Sequence, residues 1–174
     1  MTNEVRRVPR LRRMLAIALA VVAFDQVTKH WAINALSDGR AHHVWWTLQW
    51  NLSFNSGMAF SKGQSIGPII GLVAIVIVVV IVLGVRKTES RTVAVAAGFV
   101  VGGAIGNLAD RVFRGDGWLH GSVVDFIDFQ WFPIFNIADM GVNVGGALFV
   151  LWSLLSPKHV AQPEPGEVVD EVSP

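Results

Sequence analysis

A helical integral membrane protein of four transmembrane helices, carrying a small β-strand platform on its outer face, is the fold class this sequence predicts. Three observations predict it. Of the 174 residues 52% are hydrophobic and 16% charged, and mean hydropathy is +0.50. That is more apolar than a soluble domain of this length. Four apolar stretches are long enough to cross a hydrocarbon core about 30 Å thick. The basic clusters all fall on one side of a four-span arrangement, which the positive-inside rule makes cytoplasmic. Cysteine is absent, excluding disulfides, thiol nucleophiles and thiolate metal sites.

The first span is expected over about 11–36. Arg6, Arg7, Arg10, Arg12 and Arg13 followed by the apolar run Met14–Phe24 resemble a secretory signal peptide. The apolar character continues past Asp25 through Trp31–Ala32–Ile33, however, so the helix is expected to be retained. An extracytoplasmic segment follows over about 37–65. In it Leu48, Trp50, Leu52 and Phe54 alternate with Gln49, Asn51, Ser53 and Asn55, the period of a strand with one apolar face. Asn55-Ser56-Gly57 then turns the chain.

The second span, about 66–85, holds long runs of Val and Ile without an ionisable side chain and reads as scaffold. Arg86, Lys87 and Arg91 form a short basic loop before the third span, about 92–110. There Gly98, Gly102 and Gly106 repeat every four residues, a ridge that lets helices approach closely. A second outer segment covers about 110–132, and the fourth span about 133–155, with Pro133 suited to its first turn. Six of the seven Trp residues map to the outer side, as in an interfacial belt. Residues 1–159 make a single membrane domain, and 160–174, rich in Pro and acidic residues, reads as a disordered cytoplasmic tail.

Chemistry concentrates between Ser122 and Gly141, where Asp125, Asp128 and Asp139 stand among large apolar side chains. A carboxylate inside an apolar span costs about 2.5–3.5 kcal/mol on insertion scales, so it faces protein or water and has a task. Two carboxyls sharing one site split their pKa values, and one can act as base while the other acts as acid. Asn136, Asp139 and Asn143 share one helix face; Gly103, Asn107 and Asp110 share another. Asp25 and Lys29 form an i, i+4 pair, and Asp110 with Arg111 reads as an interfacial ion pair. His42, His43 and His120 lack metal-ligand spacing, and no nucleophile elbow or phosphate loop is present. No metal, no cofactor and no nucleic-acid partner is expected.

The blocks D-Q-V-T-K (Asp25–Lys29), N-S-G-M-A-F (Asn55–Phe60), G-G-A-I-G-N-L-A-D-R (Gly102–Arg111), V-V-D-F (Val123–Phe126) and F-N-I-A-D (Phe135–Asp139) resemble, in order, those of the bacterial lipoprotein signal peptidases, also called signal peptidase II. The resemblance implies a membrane aspartyl endopeptidase that removes the signal peptide from prolipoproteins, on the N-terminal side of a diacylglyceryl-modified cysteine. It places the catalytic pair on Asp125 and Asp139 and leaves Asp128 a neighbour. Asp25, Lys29, Asn55, Gly57, Asn107, Asp110, Arg111 and Asn136 would bind substrate or support the site, and Asn55, Asn136 and Arg111 are candidate oxyanion donors. The implied partners are lipid-modified prolipoproteins and membrane lipid. The implied location is the bacterial cytoplasmic (inner) membrane, with both termini cytoplasmic and the site near the outer leaflet. Phe113–Ser122 is longer than the corresponding stretch of the family. A small ion-conducting or adaptor membrane protein is the alternative. A conductor would spread its carboxylates along a path, whereas these gather on one side; an adaptor leaves the Asp139 stripe without a reason.

Overall fold

The computed structural model describes residues 2–57 and 66–156, with side chains from Pro9 onward. The expected tail at 160–174 and the Met58–Phe60 part of one matched block lie outside the described residues. Four helices, α1 (Thr2–Ala35), α2 (Gly67–Val85), α3 (Arg91–Phe113) and α4 (Ile137–Leu155), accompany three strands, β1 (His42–Trp45), β2 (Leu48–Asn55) and β3 (Val123–Asp128). Three of the helices, α2, α3 and α4, are long and apolar enough to cross a membrane. The longest, α1, is not among them: Arg12 and Arg13 interrupt its apolar run at one end, and Asp25 and Lys29 at the other.

The helix starts follow local chemistry. Pro68 lies in the first turn of α2, where a missing N–H costs nothing. Ser90 caps α3 by accepting the Val93 N–H at 3.3 Å. The fourth helix corrects an expectation, because Pro133 is not in its first turn. Phe135 instead bridges to Ile127 as an extra rung beside β3. Asn136 then caps α4 in a reciprocal box with Asp139, each side chain accepting from the other's backbone N–H. The helix therefore opens at Ile137.

The bundle is built around α3, which packs on α1, α4 and α2. Gly98, Gly102 and Gly106 all face α1, as a Cβ added at Gly102 would stand 2.7 Å from Val21 Cβ and 2.8 Å from the Ala18 carbonyl oxygen. Gly145 of α4 makes a similar close approach to α3, beside the Ala96 carbonyl. Gly102→Ala must push a backbone aside, at a cost of about 1–3 kcal/mol. A lowered thermal midpoint in detergent is the expected result. Gly84→Ala, where a Cβ meets nothing within 4 Å, serves as the neutral control.

The sheet is antiparallel in the order β1-β2-β3. The strand expected over 48–55 is present, while β1 and β3 were not foreseen as strands. All six residues of β3 are buried although it closes one edge of the sheet, because helices and the Phe135 rung cover it. Phe126 and Ile127 pack with Ala32 of α1 and with Leu36 just after it, and Trp50, Phe135 and Ile137 close round them. The expected Trp belt therefore divides. Trp45, Trp46, Trp118 and Trp131 are exposed, but Trp50 stands edge-on to Trp31 and packs against Phe126 beneath the sheet.

One irregularity decides which way the strand carboxylates point. Gln49 pairs with Asp128 and Trp50 with Ile127, yet Ser53 pairs with Asp125 where unbroken register would give Val124. A one-residue slip exchanges the faces of a strand. Asp125 and Asp128, three apart and so on opposite faces of a regular strand, consequently both meet the polar face of β2. Gln49 and Asn51 donate to Asp128 at 2.7 and 2.9 Å; Asn55 donates to Asp125 at 3.2 Å.

Candidate active site

The end of the bundle that carries the sheet holds a cavity of about 400 Å³ bounded by α2, α3, α4 and the ends of β2 and β3. Asp125 and Asp139 both line it, with Asn55, Gly57, Asn107 and Arg111. Asp125 comes from β3 and Asp139 from the first turn of α4, and Asn136 joins them. The Asn136 side-chain amide donates to Asp125 Oδ1 at 2.6 Å, and its backbone N–H donates to Asp139 Oδ2 at 3.2 Å. Asn107 donates to Asp139 Oδ1 at 2.8 Å. Each carboxylate thus accepts two donors, and Asp139 also meets the positive end of its helix. Burial, and next the charge of Asp139, pushes the Asp125 carboxyl up to about 6.

Behind the pair lies a charged layer sealed from solvent. Lys29 and Asp25 are both fully buried and 2.9 Å apart, so the expected i, i+4 pair is present as an interior contact. Lys29 also reaches Asp110 at 2.8 Å and Asn107 at 2.9 Å. The expected Asp110–Arg111 ion pair is corrected. Asp110 pairs with Lys29 and, at 2.7 Å, with Arg114, the residue that caps the C-terminal end of α3, because adjacent residues on a helix point apart. Arg111 turns to the cavity instead. It is 6% exposed, and its Nη1 has no hydrogen-bond partner among the described residues.

Among the remaining expected residues, Gly57 turns the chain after β2 with φ of 79°, and its N–H bonds Asn55 Oδ1 at 2.9 Å. That bond orients Asn55 toward Asp125. Asp128 is not brought to the cavity: Gln49, Asn51 and the Gln130 N–H hold it as a pin of the sheet. His120 bonds the Trp118 carbonyl, and His42 bonds Asp38, both away from the pair.

Three contributions were not read from the sequence. The second span is more than scaffold, since Ile70, Gly71, Ala74 and Ile77 make the apolar wall facing the carboxylates; a run of uniform hydropathy gives no hint which stripe faces a site. Gln26 bonds Asp25, Asp110 and the Gly106 carbonyl, and its place inside D-Q-V-T-K was the available signal. Leu119, fully buried in the long loop after α3, packs against Gly71, where an added Cβ would stand 2.9 Å from it.

Paired, hydrogen-bonded carboxyls at an open cavity among lipid-facing helices define the class, a helical membrane enzyme. The chain belongs to the signal peptidase (SPase) II family, which it matches over residues 17–155. It is 43% identical to the lipoprotein signal peptidase of Mycobacterium avium (strain 104) over 146 residues, covering 83% of this chain and 80% of that protein. With the lipoprotein signal peptidase of Mycolicibacterium smegmatis (strain ATCC 700084 / mc(2)155) it shares 40% over 161 residues, 91% of this chain and 68% of that protein. Its fold is similar to that of a bacterial membrane enzyme solved by the in meso method at 1.9 Å resolution, with TM-score 0.71 and 31% identity over 83% of this chain and 94% of the other.

Proposed function

We propose that the protein removes signal peptides from prolipoproteins by an aspartyl mechanism at the outer cavity, with Asp125 and Asp139 as the catalytic pair. One observation carries the reading: two carboxyls from different elements, Asp125 buried and Asp139 half-buried, line one cavity and are tied together by a single residue, Asn136. The pair shares a proton and holds a water between its members. The ionised carboxylate takes a proton from that water as it attacks the scissile carbonyl. The protonated one polarises the carbonyl, and a proton then passes to the leaving amine.

The surroundings suit such a substrate. A second, apolar cavity of about 460 Å³, lined by Ile81, Val85, Val93, Phe149 and Trp152, shares Val100 with the first. Together they run along α3 between α2 and α4, a course that fits the apolar helix of a signal peptide. The scissile bond would lie on the N-terminal side of a diacylglyceryl-modified cysteine, with the acyl chains in the surrounding lipid. In this reading α1 is a fourth span, both termini are cytoplasmic, and the exposed Trp residues rest at the outer leaflet of the bacterial cytoplasmic membrane.

The experiment is cleavage of a lipid-modified prolipoprotein by the purified protein in detergent, across a pH series and with a chelator present. The shared proton is lost as pH rises through the Asp125 value, so kcat/KM falls above about 6. The chelator has no effect. A rate still climbing toward pH 9 would exclude a shared proton, and loss to the chelator would exclude a metal-free mechanism.

A further inference from the structure

Lys29 never reaches the cavity, yet every hydrogen bond it makes leads there. An ammonium has three N–H donors, and all three are committed, to Asp25 Oδ2 at 2.9 Å, Asp110 Oδ2 at 2.8 Å and Asn107 Oδ1 at 2.9 Å. Each acceptor then grips the backbone beside a catalytic carboxyl or the carboxyl itself. Asp25 Oδ1 accepts the N–H of Ala138, the residue before Asp139, at 2.8 Å. Asp110 Oδ2 accepts the N–H of Val124, the residue before Asp125, at 3.1 Å. Asn107 donates directly to Asp139 Oδ1 at 2.8 Å.

The third arm also fixes an amide orientation. Asn107 Oδ1 accepts from Lys29 and, at 3.1 Å, from the Asn136 side-chain amide. Flipping Asn107 would set its NH2 against an ammonium and another NH2, and its oxygen against a carboxylate. Three favourable contacts would become three unfavourable ones. The buried cation therefore dictates that Asp139 receives a donor.

We propose that Lys29 is a positioning residue that registers α1, α3, β3 and α4 on one ammonium, setting the separation of Asp125 and Asp139 and the orientation of Asn107. This rests on the assignment of the catalytic pair above. The charged and titratable groups of the layer are Asp25 on α1, Asp110 and Arg111 on α3, Arg114 at its C-terminal cap, Asp125 on β3 and Asp139 on α4. Lys29 holds down the Asp125 value that burial and Asp139 raise, so its loss raises that value further.

The test measures kcat, KM and their pH dependence in detergent for Lys29→Met, for Asn107→Leu and for both together, with folding followed by thermal midpoint. Misplacement of catalytic groups by a fraction of an ångström to an ångström costs on the order of 100-fold. Lys29→Met should lose about that in kcat with KM changed only a few-fold, and the alkaline limb of its kcat/KM profile should move to higher pH. Asn107→Leu added to Lys29→Met should cost little more, since the amide is already released. Asp25→Asn/Lys29→Met removes one charge of each sign and covers the case in which the single variant does not fold. If the folded variant or its neutralised double keeps a kcat within a few-fold of wild type, the proposal is overturned. A loss that tracks the unfolded fraction, with an unmoved limb and additive effects, overturns it too. Asp139→Asn in the same assay separates the readings: a dead Asp139→Asn beside a fully active Lys29→Met rejects only the positioning role.

Discussion

Asp125→Asn and Asp139→Asn should each abolish cleavage, with kcat falling on the order of 10³- to 10⁴-fold, the scale of a lost general acid or base. Neither amide can take a proton from water, while both keep the size and much of the hydrogen bonding of the carboxyl. Purification yield and thermal midpoint should therefore hold while the rate collapses. Asp125→Asn carries a further signature. Its folded-state value of about 6 lies above the ordinary 3.8, so the folded protein binds more protons than the unfolded chain between those values. The ionised carboxylate then costs stability that grows as pH rises through that window and is fully present above it. The cost is about 3 kcal/mol at most, less the donor–donor conflict that an amide meets at Asn136. Asp125→Asn should equal or exceed wild type in thermal midpoint at pH 7.5 and lose that advantage at pH 4. Near-wild-type cleavage by either variant would reject the catalytic pair. Asp128→Asn is the matched control, for it loosens the sheet pin at Gln49 and Asn51 and lowers stability more than rate.

Arg111→Met should lower kcat by about 10²–10³, the usual effect of removing an oxyanion donor. Three residues could serve that role by sequence, and the hydrogen bonds discriminate among them. Both amide hydrogens of Asn136 are committed, to Asn107 and Asp125, and Asn55 donates to Asp125. Arg111 alone of the three brings to the cavity wall a buried donor, Nη1, without a partner among the described residues. An orphaned donor is costly until something satisfies it, and a carbonyl oxygen gaining negative charge does so best in the transition state. Arg111→Lys should recover only part of the loss, because an ammonium on a flexible stem does not reproduce the fixed fork. A kcat within a few-fold of wild type for Arg111→Met would remove Arg111 from the reaction.

Much of the membrane architecture was legible because hydrophobic transfer is close to additive along a chain. The uninterrupted Val and Ile run of α2 needed no partner to be recognised. Asp139 drew notice through the cost of a carboxylate in an apolar segment, and the strand at 48–55 showed itself by simple alternation. The first turn of α4 was less legible. Pro133 is a sound local signal for a helix start, and it was overruled by the Phe135–Ile127 rung and the Asn136–Asp139 box, of which only the box has a local pattern.

By itself the sequence determined which segments are apolar, where the glycine ridge lies, and that Asp125 and Asp139 stand beside apolar spans with polar companions in family order. Tertiary structure alone decided who meets whom. It sent Asp110 to Lys29 and Arg114 and freed Arg111 for the cavity. It slipped β3 by one residue so that Asp125 reaches Asn55, and it made an apolar stripe of α2 the wall of the site. The physical reason is range. Burial and helix or strand period are set by neighbours in sequence, whereas a buried hydrogen bond depends on angstrom-scale placement of groups up to 113 residues apart, as between Asp25 and Ala138.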